Sequence, residues 1–167
     1  MTLIEEGEKV IKNPKDYDVR ANIMWSATMA LNSLISRGVA MDWSTHMIGH
    51  ELTNFYGLDH AQTLAIVLPN IMRYKADTKG DKILQYGSRV FGIHDYLSKH
   101  EIIEQTIQKT AKFFEDVGCP TKLSDYGFAG EHFDSIVANF KDNGMTALGE
   151  NQDITHDDVR KILEMCL

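Results

Sequence analysis

Apolar residues recur at every third or fourth position along nearly the whole chain, and alternation with a period of two is almost absent. That pattern predicts an all-α fold whose helices each bury one stripe. From Asp18 to Arg37, the residues Ile23, Ala27, Ala30, Leu31, Leu34 and Ile35 form a broad apolar face, with Asp18 placed to cap the start and Gly38 to end it. A second helix is predicted from Asp42, whose carboxylate can accept unpaired N–H groups of the first turn, to Tyr56, where Gly57 breaks it. A third starts at Asp59 and runs to about Lys75, with Pro69 expected to kink or divide it. Segments 79–91, 99–117, 130–142 and 156–166 follow the same period, the last behind Thr155 with an acid three residues on. Trp25, Met24 and Met29 fit a core or interface stripe better than a cofactor box.

Composition agrees with one ordinary domain over residues 1–167. Hydrophobic residues make up 43% and charged residues 25% of 167 positions, far from the balance that prevents folding. The formal net charge of −7 argues against a protein that coats nucleic acid, and the lysines and arginines mark no phosphate-binding patch. Cys119 and Cys166 lack metal or redox spacing. The opening residues carry acids where a signal peptide needs positive charge, and no run approaches a membrane span, so the expected compartment is the cytoplasm, with no nucleic acid and no membrane as partner. With three prolines and neither GxGxxG nor GxxxxGK[ST], the chain carries no visible linker and no nucleotide cradle of its own.

The candidate chemistry lies in THMIGHELTNFYGLDHAQ, where three of the seven histidines, His46, His50 and His60, crowd together. His46 and His50 are one helical turn apart and share a face, and a sharp reversal at Gly57 can return His60 to the same place. Neutral imidazoles at that reach suit Zn²⁺ or Fe²⁺. The spacing alone is a weak signal, and the order HxxxHE lacks the base between two ligands that a zinc peptidase needs. Asp59 reads equally as a helix cap, a partner for an imidazole or a ligand. His94, His100, His132 and His156 sit among charged residues and read as solvated surface groups.

The segment DWSTHMIGHELTNFYGLDHAQTLAIVLPNIMRY closely resembles the metal-binding stretch of the iron-containing (group III) alcohol dehydrogenases. Its flanks, YDVRANIMWSATMALNSLISRG before and CPTKLSDYG and MTALGENQDIT after, look like the NADPH-dependent butanol dehydrogenase and broad-range aldehyde reductase branch. The resemblance covers nearly the entire chain. It implies the helical C-terminal domain of a two-domain, dehydroquinate synthase-like enzyme, whose N-terminal α/β nucleotide domain is a missing partner, in cis or as a separate chain.

The resemblance further implies that His46 and His60 are two of four ligands to one divalent metal, iron or zinc, the other two being an Asp and a His ahead of this segment. It places His50 beside nicotinamide and substrate, as the residue that orients the alcohol or relays its proton. Phe55 and Tyr56 are candidates for an apolar substrate wall, against a core role. The implied activity is NADPH-dependent interconversion of small aldehydes and primary alcohols. The isolated chain, with two ligands only, is expected to be inactive unless it associates with a nucleotide-binding half; a homo-oligomer is the other association considered. A competing reading is a catalytically inactive truncated remnant or helical interaction module.

Overall fold

The structure is a computed structural model that describes residues 1–94 and 96–167. Among the described residues there are eight α-helices and one 3-10 turn, with a single isolated bridge between Leu148 and Ile154. The all-α expectation therefore holds. The chain divides into two compact units, Met1–Met41 and Asp42–Leu167.

The first unit pairs α1, Thr2–Lys12, with α2, Tyr17–Leu31. None of the helices expected from the apolar period covers α1. Its local support is a pair of ion pairs along the helix, Lys9 Nζ to Glu6 at 3.2 Å and Lys12 Nζ to Glu8 at 3.0 Å. Both expected ends of α2 are corrected. Asp16 caps it by accepting from the Val19 N–H at 3.1 Å, in place of Asp18. At the other end the helix stops at Leu31, because the Asn32 side chain accepts the Leu34 N–H at 3.0 Å and Ser33 turns to φ 67°. The face expected to be buried is largely open: Leu31, Leu34 and Ile35 are exposed, as are Met24 and Trp25, the latter 67% accessible. Two paired helices have only one mutual seam, so an apolar band as wide as this one stays uncovered within the unit.

The second unit holds α3, Ser44–Tyr56, α4, His60–Tyr74, α5, Ala76–Phe91, α6, Lys99–Asp116, α7, Phe133–Asp142, and α8, His156–Met165, with a 3-10 turn at Leu123–Tyr126. Starts and stops follow local signals. Asp42 accepts from the Ser44 N–H at 2.8 Å, so the carboxylate does the expected work two residues ahead of the helix proper. Gly57 ends α3 in the left-handed region at φ 69°, which a side chain would strain. Asp59 opens α4 with Gln62 as reciprocal partner, Gln62 Oε1 accepting the Asp59 N–H at 2.9 Å. Pro69 lies inside α4 without dividing it. Segment 130–142 starts later than expected, at Phe133, after Gly130 at φ 85°.

Two apolar clusters hold this unit. The larger joins α3, α4, α7 and α8 through Ile48, Leu52, Ile66, Ile136, Phe140 and Ile162. The smaller joins α4, α5 and α6 through Met72, Ile83 and Ile107. Full burial of such side chains contributes about 1.5–3 kcal/mol each. Helix α4 takes part in both clusters, so its first residue, His60, starts from the best-anchored element of the unit. No helix among the described residues is long and apolar enough to cross a membrane.

Candidate metal centre

His46 and His50 project from one side of α3, and the reversal at residues 57–59 sets His60 at the first position of α4. Leu58, 7% accessible, pins that reversal to the core. The three imidazoles meet: ring centres lie 5.2 Å apart for His46 and His60, 5.5 Å for His50 and His60, and 6.3 Å for His46 and His50. His46 is half-buried, whereas His50 and His60 are exposed. The edge of Trp43 closes on His46, with ring centres 5.0 Å apart. Burial, then the like charges of His60 and His50, push the His46 pKa down, which favours the neutral ring that a metal requires.

Three supports fix this arrangement, none of them evident from histidine spacing. Lys79 on α5 bonds to Asp42 and, at 2.7 Å, to Glu150, tying the approach to α3 to the 145–155 loop. Burial alone would raise the Asp42 pKa, but the bonds from Lys79 and Ser44 outweigh it and hold the carboxyl below its ordinary value. Thr63 on α4 donates to the His60 carbonyl at 2.9 Å. Gly49 on α3 faces Thr63 so closely that a Cβ there would lie 2.9 Å from Thr63 Oγ1. A glycine three residues after one histidine and a threonine three residues after another were the available signal.

The remaining candidates lie elsewhere. Tyr56 is buried in the larger cluster, its ring centre 4.6 Å from Phe128 and 5.2 Å from His132, and Phe55 packs partly buried 5.6 Å from His132. Their helical positions turn them off the face that carries His46 and His50. Glu51 accepts from Asn139 Nδ2 at 2.7 Å and so fastens α3 to α7. Asp59 serves as a helix cap. Two histidines expected at a solvated surface have tertiary partners: His132 lies against Tyr56 and Phe55, and His156 Nε2 is 2.7 Å from the Met145 carbonyl.

The description that matches the chain, over residues 1–167, is the C-terminal model of the Fe-containing alcohol dehydrogenase family. The chain belongs to the iron-containing alcohol dehydrogenase family. Among its relatives in that family is the NADPH-dependent aldehyde reductase YqhD of Escherichia coli K12, 55% identical over 98% of this chain and 42% of that protein. The NADP-dependent alcohol dehydrogenase 3 of Entamoeba histolytica is 36% identical over 97% of this chain and 40% of that protein. The chain thus spans about two-fifths of the length of these iron-containing dehydrogenases. Among solved structures of the family, substrate- and cofactor-free YqhD from E. coli superposes with a TM-score of 0.96 at 54% identity, over 99% of this chain and 43% of that one. The NADH-dependent butanol dehydrogenase A of Thermotoga maritima gives 0.88 at 31% identity, over the same shares.

The donor chemistry fits a divalent ion of this family in part. An imidazole nitrogen sits about 2.0–2.1 Å from zinc, and ring centres 5.2 Å apart allow His46 and His60 to turn nitrogens toward one ion. Among the described residues no group of three or more His, Cys, Asp or Glu side chains forms a metal site, so His50 does not complete one.

Proposed function

We propose that this chain is the metal- and substrate-facing helical part of a nicotinamide-dependent aldehyde reductase, with His46 and His60 as two of the ligands to one iron or zinc ion. The observation that carries this reading is the 5.2 Å approach of the two rings across the α3–α4 reversal. When bound, the metal supplies Lewis-acid polarisation of the aldehyde oxygen and NADPH supplies the hydride. The chain's own part is positional and protonic. His46, walled by Trp43, and His60, seated at the capped start of α4, present nitrogens from two rigid elements. His50, exposed and 5.5 Å from His60, stands where it can hold the substrate hydroxyl and pass a proton to or from it. Phe55 and Tyr56 hold α3 against the core behind these groups.

Two donors bind a divalent ion weakly, so turnover depends on further ligands and on a nucleotide-binding half, in cis or as a separate chain. The test combines the purified chain with the nucleotide-binding half of a family member and follows NADPH oxidation with butanal. Activity that His60→Ala abolishes supports the reading. His50→Ala should keep metal binding and lower turnover by about 10²–10⁴-fold, the usual weight of a general acid. A stable complex without activity would sink the proposal. It would favour the second reading, a helical interaction module, to which the exposed Trp25, Leu34 and Ile35 lend support.

A further inference from the structure

The histidines come from two helices, so the distance between His46 and His60 is set wherever those helices touch. They touch at Gly49 and Thr63. Gly49 follows His46 by about one turn and precedes His50 directly; Thr63 follows His60 by about one turn, and its side chain lies over the turn that His60 begins. A Cβ on Gly49 would lie 2.9 Å from Thr63 Oγ1, 3.4 Å from Thr63 Cβ and 3.5 Å from Leu64 Cδ2. Thr63 is fully buried and stiff at its branched Cβ, and its hydroxyl donates to the His60 carbonyl at 2.9 Å. Because that side chain is buried, branched and bonded, the overlap is relieved by α3 moving off α4, which takes His46 away from His60.

We infer that Gly49 and Thr63 are a positioning pair that sets the spacing of His46 and His60, an inference that rests on the metal-centre reading for its functional meaning. Neither residue touches the reacting atoms. Their effect passes through the histidines.

The experiment uses the full chain, labelled for NMR, with two readouts: the cross-peak between His46 and His60 ring protons, and the dissociation constant for Co²⁺. In wild type the cross-peak is expected, the ring centres being 5.2 Å apart. Gly49→Ala should weaken or remove it and lower Co²⁺ affinity by about 10–100-fold, the usual cost of losing what orients a ligand. Gly49→Ala/Thr63→Ala, which removes the overlapping hydroxyl, should restore the cross-peak and most of the affinity. A merely structural glycine would not give that rescue.

An unchanged cross-peak in Gly49→Ala overturns the inference, and so does a double variant that folds with the cross-peak still lost. Should the single variant fail to fold, a folded double variant with the wild-type cross-peak carries the same conclusion. The two proposals fail separately. Wild type that binds no Co²⁺ even when joined to the nucleotide-binding half with its further ligands removes the metal reading, while the cross-peak still decides whether Gly49 and Thr63 set the spacing.

Discussion

The pairs α3–α4 and α5–α6 are assembled from the same local devices. In each, the first helix ends on a glycine in the left-handed region, Gly57 at φ 69° and Gly92 at φ 64°. In each, the second helix opens with a reciprocal capping box, Asp59 with Gln62 and Ser98 with Glu101. In each, a glycine on the first helix faces a threonine on the second, Gly49 against Thr63 and Gly87 against Thr106, and the threonine hydroxyl donates to a carbonyl of its own helix. What differs is the connection. Gly57 and Asp59 are separated by one residue, so the second helix begins beside the end of the first and its leading side chain, His60, returns to the helix it came from. Gly92 and Ser98 stand further apart, and the residue that follows the cap is Lys99. The same close helix crossing thus occurs twice; at α3–α4 a short reversal brings a third histidine to a helix that already presents two.

The sharpest way to break this comparison is Gly87→Ala. A Cβ there would overlap Thr106 Oγ1, which is fully buried and bonded to the Ile102 carbonyl at 2.6 Å. The expected loss is about 3 kcal/mol by urea unfolding, at the upper end for an overpacked contact, with the His46–His60 cross-peak unchanged. Loss of that cross-peak would mean that the two crossings are coupled.

A smaller effect concerns the far end of α4. The Tyr74 hydroxyl donates to Asp158 on α8. Burial would raise the Asp158 pKa, but the bonds from Tyr74 and Thr155 outweigh it and lower it to about 2. Because the folded carboxyl binds its proton less readily than the unfolded one, its contribution is complete above about pH 4 and is lost as pH falls through about 2. The contribution is about 2 kcal/mol at most, less whatever solvent screening removes. Tyr74→Phe should therefore move the acid unfolding midpoint to higher pH, and an unchanged midpoint would remove this tie.

The smallest effect compares the caps. Ser98→Ala and Asp59→Ala should each cost about 1 kcal/mol in thermal unfolding, but only Asp59→Ala should shift the ring resonances of His60. Equal silence at His60 would mean that the cap fixes the helix without fixing the imidazole.

These contrasts also separate what the chain spells out from what only packing decides. Helix ends are legible at the capping side chains of Asp59 and Thr155 and at the left-handed glycine Gly57. They were misread at α2, where Asn32 offered its neighbours an alternative to helix. The meeting of His46, His50 and His60 followed from one helical turn and one reversal. Its supports did not, because Lys79 is joined to Asp42 and Glu150 across long stretches of chain. Gly49 and Thr63 each look ordinary until the helices cross, and Phe55 and Tyr56 sit near the histidines in sequence while facing elsewhere.

Cys166 sits wholly inside the larger cluster, its Sγ 3.5 Å from Asn70 Nδ2, and burial pushes its pKa up to about 12. A thiol so placed is silent toward alkylating reagents while the fold is closed, because neither access nor thiolate is on offer. It becomes reactive when the end of α8 leaves α4, so the molecule contains its own stopwatch: the labelling rate of this one sulfur counts how often that seam, on the helix that begins with His60, comes open.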